Sequence, residues 1–261
     1  MQKISSFFLK YARFVKLIAD PVLTILFWTY FTLGFVLFFS PLYLFAYFFS
    51  KNREHSFQKL NHLFYRGFFK LVRNLTPGLL IRISDEVLSI RSSVIVSNHL
   101  SYLDPILLIS LYEKQKTIVK STFFKVPIFG CMLKMSGYLP SVMTGDVQMM
   151  QHIEKMGDFL AAGGNLFVFP EGTRSRDGKI GELNKGAFKI ARLCKARVKI
   201  LKISNSGYLF RPGRFLFNTC VPISISVELA GEIHPDYKGE NFTVSGLTAQ
   251  VRNLMEKNAE P

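Results

Sequence analysis

The chain opens with an amphipathic pattern. Residues 4–18 put Phe7, Tyr11, Phe14, Val15 and Ile18 on one helical stripe, and Lys3, Lys10, Arg13 and Lys16 fall mostly off it. A basic amphipathic helix of this kind lies in a membrane interface or packs on the protein's own core, and the pattern supports both. From Pro21 to Ser50 no residue is charged, and Leu, Phe, Val and Tyr dominate. Roughly twenty apolar residues cross a bilayer core, so this stretch is long enough to span. Gly34 and Ser40-Pro41 also allow a break into two short helices, a hairpin dipping into one leaflet. Lys10, Arg13 and Lys16 precede the stretch and Lys51, Arg53 and Lys59 follow it. The positive-inside rule therefore does not choose an orientation, and this symmetry favours the hairpin. The stretch is too long and too far from the start for a signal peptide, and no small-residue cleavage site follows.

Helical spacing resumes with Phe57, Leu60, Phe64, Phe68, Leu71 and Leu75, ending at Thr76-Pro77-Gly78. Lys59, Arg66, Lys70 and Arg73 face elsewhere, so a second basic amphipathic helix is expected to carry the remaining domain along a membrane surface; His62 on it reads as a surface or packing residue. After it the period shortens. Leu80-Ile81-Arg82-Ile83, Val94 to Ser97, Thr117 to Val119, Leu166 to Phe169 and Val198 to Ile203 read as strands. Residues 105–113, 146–162, 185–195 and 244–257 read as helices, and Phe215 to Val227 as further strand. Strands alternating with helices predict an α/β fold, a mixed and largely parallel sheet flanked by helices. The expected division is a membrane-associated helical part over 1–78 and a catalytic domain over 79–261.

Composition sharpens the membrane reading. The 261 residues are 49% hydrophobic, with 26 Phe and a mean hydropathy of +0.21, and 33 basic residues against 18 acidic give a charge of +15. A nucleic-acid partner would not call for a lipid-length apolar segment, so basic charge beside apolar surface points to an anionic membrane face and anionic substrates. Cys131, Cys194 and Cys220 are far apart and odd in number. They form no metal-ligand spacing and no disulfide framework, and read as buried thiols of a reducing compartment.

Two stretches carry chemistry. Asn98-His99-Leu100-Ser101-Tyr102-Leu103-Asp104 follows the strand Val94 to Ser97, and Asp104-Pro105 reads as a helix N-cap with proline at the first helical position. With a turn between them, Asp104 can hold one ring nitrogen of His99 and leave the other for a substrate. This is the base and orienting carboxylate of a triad without a protein nucleophile. Phe169-Pro170-Glu171-Gly172-Thr173-Arg174-Ser175 follows about seventy residues later, after another apolar run.

Together these match NHxxxxD and FPEGTRS, and the chain resembles the glycerolipid acyltransferase family typified by 1-acylglycerol-3-phosphate acyltransferase. The resemblance runs from about Val94 to Ile203. It implies transfer of a fatty acyl group from acyl-CoA or acyl-carrier protein to the free hydroxyl of a lysophospholipid, without metal or bound cofactor. His99 would act as base, since imidazole titrates near neutrality, and Asp104 would fix its tautomer. Asn98 would hold the turn or donate to a carbonyl oxygen. Glu171, Gly172 and Arg174, with Thr173 and Ser175, would bind the acceptor's phosphate, and Lys120 opens the segment to Gly130 that resembles the family's middle region. By composition alone, the long apolar N-terminal portion and the stretch from Phe123-Phe124 to Ile128-Phe129 would supply an acyl-chain groove or belong to the core.

The sequence departs from the family pattern twice. No arginine follows Gly137 by position 143, where Met143 stands, and Val198 to Ile203 lacks the expected proline. These departures leave the acceptor open among lysophospholipids and lyso-aminolipids. A transacylase or hydrolase and a non-catalytic lipid-binding protein are the alternatives from other classes. The expected location is a bacterial inner membrane, with the catalytic domain cytoplasmic.

Overall fold

The structure is a computed structural model that describes residues 2–142, 146–175 and 179–257; Met143 lies outside them. The N-terminal part comprises helix α1 (Gln2–Thr29), a π-helical segment (Tyr30–Phe39), α2 (Ser40–Phe49) and α3 (Arg53–Leu75). Then follow β1 (Leu79–Ile83), α4 (Asp85–Ser89), β2 (Ser93–Ser97), α5 (Leu103–Leu111) and β3 (Gln115–Val119). A 3₁₀ turn over Ser121–Lys125 leads to α6 (Phe129–Met135), β4 (Leu139–Pro140), α7 (Asp146–Ala161) and β5 (Asn165–Val168). The chain continues through α8 (Gly186–Leu193), β6 (Arg197–Ser204), α9 (Ser206–Leu209), β7 (Ile223–Ile233) and α10 (Val244–Lys257).

One seven-stranded sheet runs β1-β7-β6-β2-β5-β3-β4. Its pairs are parallel except β6 with β7, so the sheet is mixed and mostly parallel as the alternation predicts. Side chains alternate between two cores. Ile95, Phe167, Leu201 and Ile203 join α3 and α5 on one face. Val94, Val96, Leu166, Val168, Val198 and Ile200 join α7, α8 and α10 on the other. Burial on both faces explains why β2 and β5 read as continuous apolar runs. The strand expected over Phe215 to Val227 begins only at Ile223; the residues before it form a loop held on α1.

The N-terminal stretch does not fold back. Thr29, Phe39 and Ser40 keep helical backbone angles, so neither Gly34 nor Ser40-Pro41 breaks it, and the favoured hairpin gives way to continuous helix. Pro41 sits at the start of α2, where its missing N–H costs little. The uncharged run carries an aromatic residue at every fourth place: Phe27, Phe31, Phe35, Phe39 and Tyr43. An α-helix of about 3.6 residues per turn swings such a repeat roughly 40° round its axis at each step. The wider π turns swing it back, and all five residues pack inward. Phe27 meets Phe68 and Phe217, Phe31 meets Phe64 and Phe68, and Tyr43 meets Phe57.

The outer face is different. Phe14, Leu17, Ile25, Leu37, Phe45 and Phe48 are among many exposed apolar residues there, and Phe14–Phe49 is long and apolar enough to cross a membrane. The stripe at Phe14, Val15 and Ile18 is likewise exposed and does not pack on the protein's own core. The apolar face of α3 instead turns inward, with Phe57, Phe64, Phe68 and Val72 buried, and Lys59, Arg66, Lys70 and Arg73 at the surface. His62 is buried, its Nδ1 3.3 Å from the Ile109 carbonyl, and burial holds its pKa below the ordinary value.

A histidine kept neutral by burial favours the fold above the unfolded imidazole's pKa of about 6.5. As pH falls through that value the unfolded chain takes up the proton first, so stability drops. The melting temperature should therefore fall between pH 7 and 5, and His62→Gln should flatten that part of the profile, as followed by circular dichroism.

Candidate active site

The two motif loops leave the sheet side by side. β2 and β5 are adjacent and parallel, yet β2 continues into α5 on one face and β5 leads to α8 on the other. A crevice opens beyond the carboxyl ends of strands whose connections diverge this way. His99 follows β2 at this crevice and Phe169 follows β5.

Asp104 organises the first loop. It is fully buried, and its Oδ2 accepts hydrogen bonds from His99 Nδ1 at 3.0 Å, Leu100 N at 2.6 Å and Ser101 N at 2.7 Å. Asp104 is not the helix cap that Asp-Pro suggested. Helix α5 begins at Leu103, one residue earlier, with Tyr102 in the cap position. The Ser101 hydroxyl oxygen accepts from Leu103 N and donates its proton to the Phe210 carbonyl. Asp104 thus sits in the first turn, where an acidic side chain meets unpaired N–H groups, and it reaches back to them. His99 is 15% exposed, and Phe169 stacks on its ring at 4.4 Å. Its Nδ1 is held by Asp104, and among the described residues Nε2 has no partner.

The second loop is a turn that the motif spells out. Gly172 N donates to the Phe169 carbonyl at 3.1 Å, so Phe169, Pro170, Glu171 and Gly172 are the four turn positions. Proline favours the second and glycine the fourth. Gly172 has φ +65°, a conformation a Cβ would strain. The Glu171 carboxylate is engaged with backbone. It accepts from His99 N at 3.2 Å and from Gly181 N at 3.0 Å. Ser175 N donates to the His99 carbonyl at 2.8 Å, a second tie between the motifs.

Arg174 lies 3.3 Å from the centre of the Tyr102 ring, and its buried Nη1 has no hydrogen-bond partner among the described residues. A stacked guanidinium with an unspent donor suits an anionic oxygen. Thr173 is exposed beside it. Asn98 is fully committed to the fold: its Nδ2 donates to the Ile203 carbonyl and its Oδ1 accepts from Ile203 N, both at 2.8 Å. Of the two readings for Asn98, this geometry is the one that holds the turn. Lys120 is exposed where β3 ends and makes no ion pair with a described residue, so the structure does not join it to the His99 group. In the following segment Phe124 and Phe129 pack on the core, and Phe123, Val126 and Ile128 are exposed.

Sequence patterns did not single out Phe169 as the stacking partner of His99, Tyr102 as the platform of Arg174, or Ile203 as the anchor of Asn98. The first two are aromatic positions inside the motifs, a usable signal. The third is a backbone contact 105 residues away along the chain and leaves none. A cleft of about 850 Å³ borders the loops, lined by Asn98, Leu100, Glu171, Ser175, Lys202 and Tyr208 among others.

Comparison with known proteins agrees with the motif reading. The family model described as Acyltransferase matches residues 78–206, just under half of the chain. The chain is 35% identical over 121 residues to a chloroplastic 1-acyl-sn-glycerol-3-phosphate acyltransferase of Arabidopsis thaliana, covering 46% of this chain and 34% of that one. It is 24% identical over 208 residues to the 1-acyl-sn-glycerol-3-phosphate acyltransferase of Borreliella burgdorferi, covering 77% and 80%. The chain thus spans about a third of the length of the plant relatives it matches. The crystal structure of the 1-acyl-sn-glycerophosphate acyltransferase PlsC from Thermotoga maritima superposes with a TM-score of 0.70 at 23% identity, covering 94% of this chain and 97% of that one. It shares the fold.

Replacing Asn98 by alanine removes both hydrogen bonds to Ile203 and leaves a strand N–H and carbonyl unpaired, a cost of about 2–3 kcal/mol. Asn98→Ala should lower the melting temperature and loosen the His99 loop, seen as faster amide exchange at residues 98–101.

Proposed function

We propose that this chain, whose residues 78–206 match the Acyltransferase family model, is a membrane-associated O-acyltransferase. It moves a fatty acyl group from a thioester donor, acyl-CoA or acyl-carrier protein, to the free hydroxyl of a lysophospholipid such as 1-acylglycerol-3-phosphate. The observation that carries this reading is the His99 and Asp104 pair: Nδ1 at 3.0 Å from a buried carboxylate, Nε2 unclaimed, and the serine of the motif occupied elsewhere.

With no hydroxyl or thiol of the chain beside Nε2 among the described residues, the nucleophile is the acceptor itself. His99 Nε2 takes the proton of the acceptor hydroxyl as its oxygen attacks the thioester carbonyl. The C–S bond then breaks, the ester is released, and the proton on Nε2 passes to the departing thiolate. Asp104 keeps a proton on Nδ1 throughout and stabilises the imidazolium that forms. Arg174 meets the acceptor's phosphate. Gly172 and Thr173 shape that corner, Lys120 contacts substrate beyond the His99 group, from the end of β3, and Glu171 and Asn98 hold the two loops in register.

The division at residue 78 is one of role. Residues 1–78 seat the enzyme on a membrane and 79–261 carry out the transfer, although α3 and the sheet share one core. A bacterial inner membrane with the catalytic domain on its cytoplasmic side is the location that goes with this reading.

Purified protein in detergent should acylate a lysophospholipid only when an acyl thioester is added. His99→Ala should lower the rate about 10²- to 10⁴-fold with the fold intact. Arg174→Ala should raise the KM for a phosphate-bearing acceptor more than it lowers kcat. A folded protein that transfers no acyl group to any lysolipid from either donor would overturn the proposal, as would product formed without a thioester.

A further inference from the structure

A second polar recess lies where the connection before β7 crosses α1. It encloses about 540 Å³ and is lined by Lys16, Asp20, Arg211, Arg214 and residues 215–218. The connection is clamped to the helix at three points. Asp20 Oδ1 accepts from Thr219 N at 2.8 Å and from the Thr219 hydroxyl at 2.7 Å, Thr24 Oγ1 accepts from Phe217 N at 2.9 Å, and Lys16 Nζ donates to Asn218 Oδ1. The recess is therefore a fixed part of the fold.

Its two arginines are placed by a turn. Arg214 N donates to the Arg211 carbonyl at 3.1 Å across Pro212-Gly213, with Gly213 at φ +79°. Proline at the second position and a left-handed glycine at the third make a type II turn, which brings its first and fourth residues close together. Arg211 and Arg214 stand at those two places. Both are exposed, and among the described residues neither meets a carboxylate. The recess holds three cations against one carboxylate, and that carboxylate, Asp20, is spent on Thr219 with Lys16 3.8 Å away. An anion is what such a recess lacks.

The surroundings indicate which anion. Phe215 is 66% exposed and Leu216 45%, both directly after Arg214. Phe215 stacks on Trp28, ring centres 5.9 Å apart and planes 12° from parallel, and Leu17, Val22 and Ile25 extend the apolar surface along α1. Apolar side chains, a tryptophan at their border and unpaired guanidiniums beside it reproduce the order of a bilayer surface, from acyl chains through interface to headgroup. We propose that Lys16, Arg211 and Arg214 form a binding site for the phosphate headgroup of an anionic membrane phospholipid. The site shares Arg211 with the cleft beside the motifs but uses no motif residue, and it is independent of the acyl-transfer reading.

Trp28 is the single tryptophan of the chain and reports on the site. The full chain in micelles of uncharged detergent is titrated with phosphatidylglycerol or with phosphatidylcholine while Trp28 emission is followed. Phosphatidylglycerol should shift the emission saturably and phosphatidylcholine should not. Arg214 lines this recess alone, whereas Arg211 also borders the cleft beside the motifs. Arg214→Glu should therefore weaken the phosphatidylglycerol response about tenfold or more, and Arg214→Lys should retain most of it, each basic charge near an anionic lipid surface being worth about fivefold. Equal responses to the two lipids, or an unchanged titration in Arg214→Glu, would overturn the proposal. Inorganic phosphate that displaces the response as potently as the lipid would overturn it too, by showing a site for free anion.

Discussion

One oxygen atom, Oδ2 of Asp104, collects three N–H groups from the loop it follows. A buried carboxylate persists only when N–H groups meet its charge, each such bond contributing on the order of 1.5–3 kcal/mol; here all three fall on Oδ2, and the buried Oδ1 has no partner among the described residues. The loop from His99 to Ser101 is therefore wound round a single acceptor, and its shape follows from that. The imidazole is pinned by Nδ1, which fixes the tautomer and leaves Nε2 outward. Everything else at the site hangs on this loop. Glu171 and Ser175 bond to the His99 backbone, Phe169 stacks on its ring, and Arg174 rests on Tyr102. The second motif is placed by the first, and the first is placed by one buried charge.

The N-terminal helices obey two demands at once. Their inner face must match α3 and the sheet, which it does with aromatics repeating every fourth residue, brought into line by π turns. Their outer face carries a continuous apolar surface that the fold itself does not cover. Ordinary domains bury such a face, and α3, of similar spacing, does so. The difference lies in the charges. α3 has a basic flank that water solvates, and the run from Pro21 to Ser50 has none.

Much of this was legible in the residues. Five strands, six helices and the mixed parallel sheet follow from apolar runs, because strands buried on both faces and helices buried on one leave opposite signatures. What escaped was set by contacts distant in sequence. Asp104-Pro105 has the composition of a cap, yet its carboxylate is drawn backward to His99 and the helix starts before it. Gly34 and Pro41 have the composition of a break, yet packing of Phe31, Phe35 and Phe39 on α3 carries the helix through. Glu171 reads as a free ligand by its charge, and only the fold shows both oxygens accepting backbone N–H groups. Residues 215–222 look like strand because their apolar side chains are real, but those side chains cover α1 and the outside of the molecule.

The excess of basic residues, 33 against 18, then takes on a spatial meaning. Charge spread evenly would give only solubility. Here Lys16 and the arginine pair presented by the Pro212-Gly213 turn stand beside exposed apolar residues of α1, and Lys59, Arg66, Lys70 and Arg73 occupy the exposed side of α3. Arg174 is the exception, withdrawn into the motif crevice and stacked on an aromatic ring, where a guanidinium is desolvated and its hydrogen bonds are stronger. The same residue type thus serves two ends. At the rim it stands in water; in the crevice the Tyr102 ring fixes the plane of the guanidinium, and Nη1 is buried without a partner among the described residues.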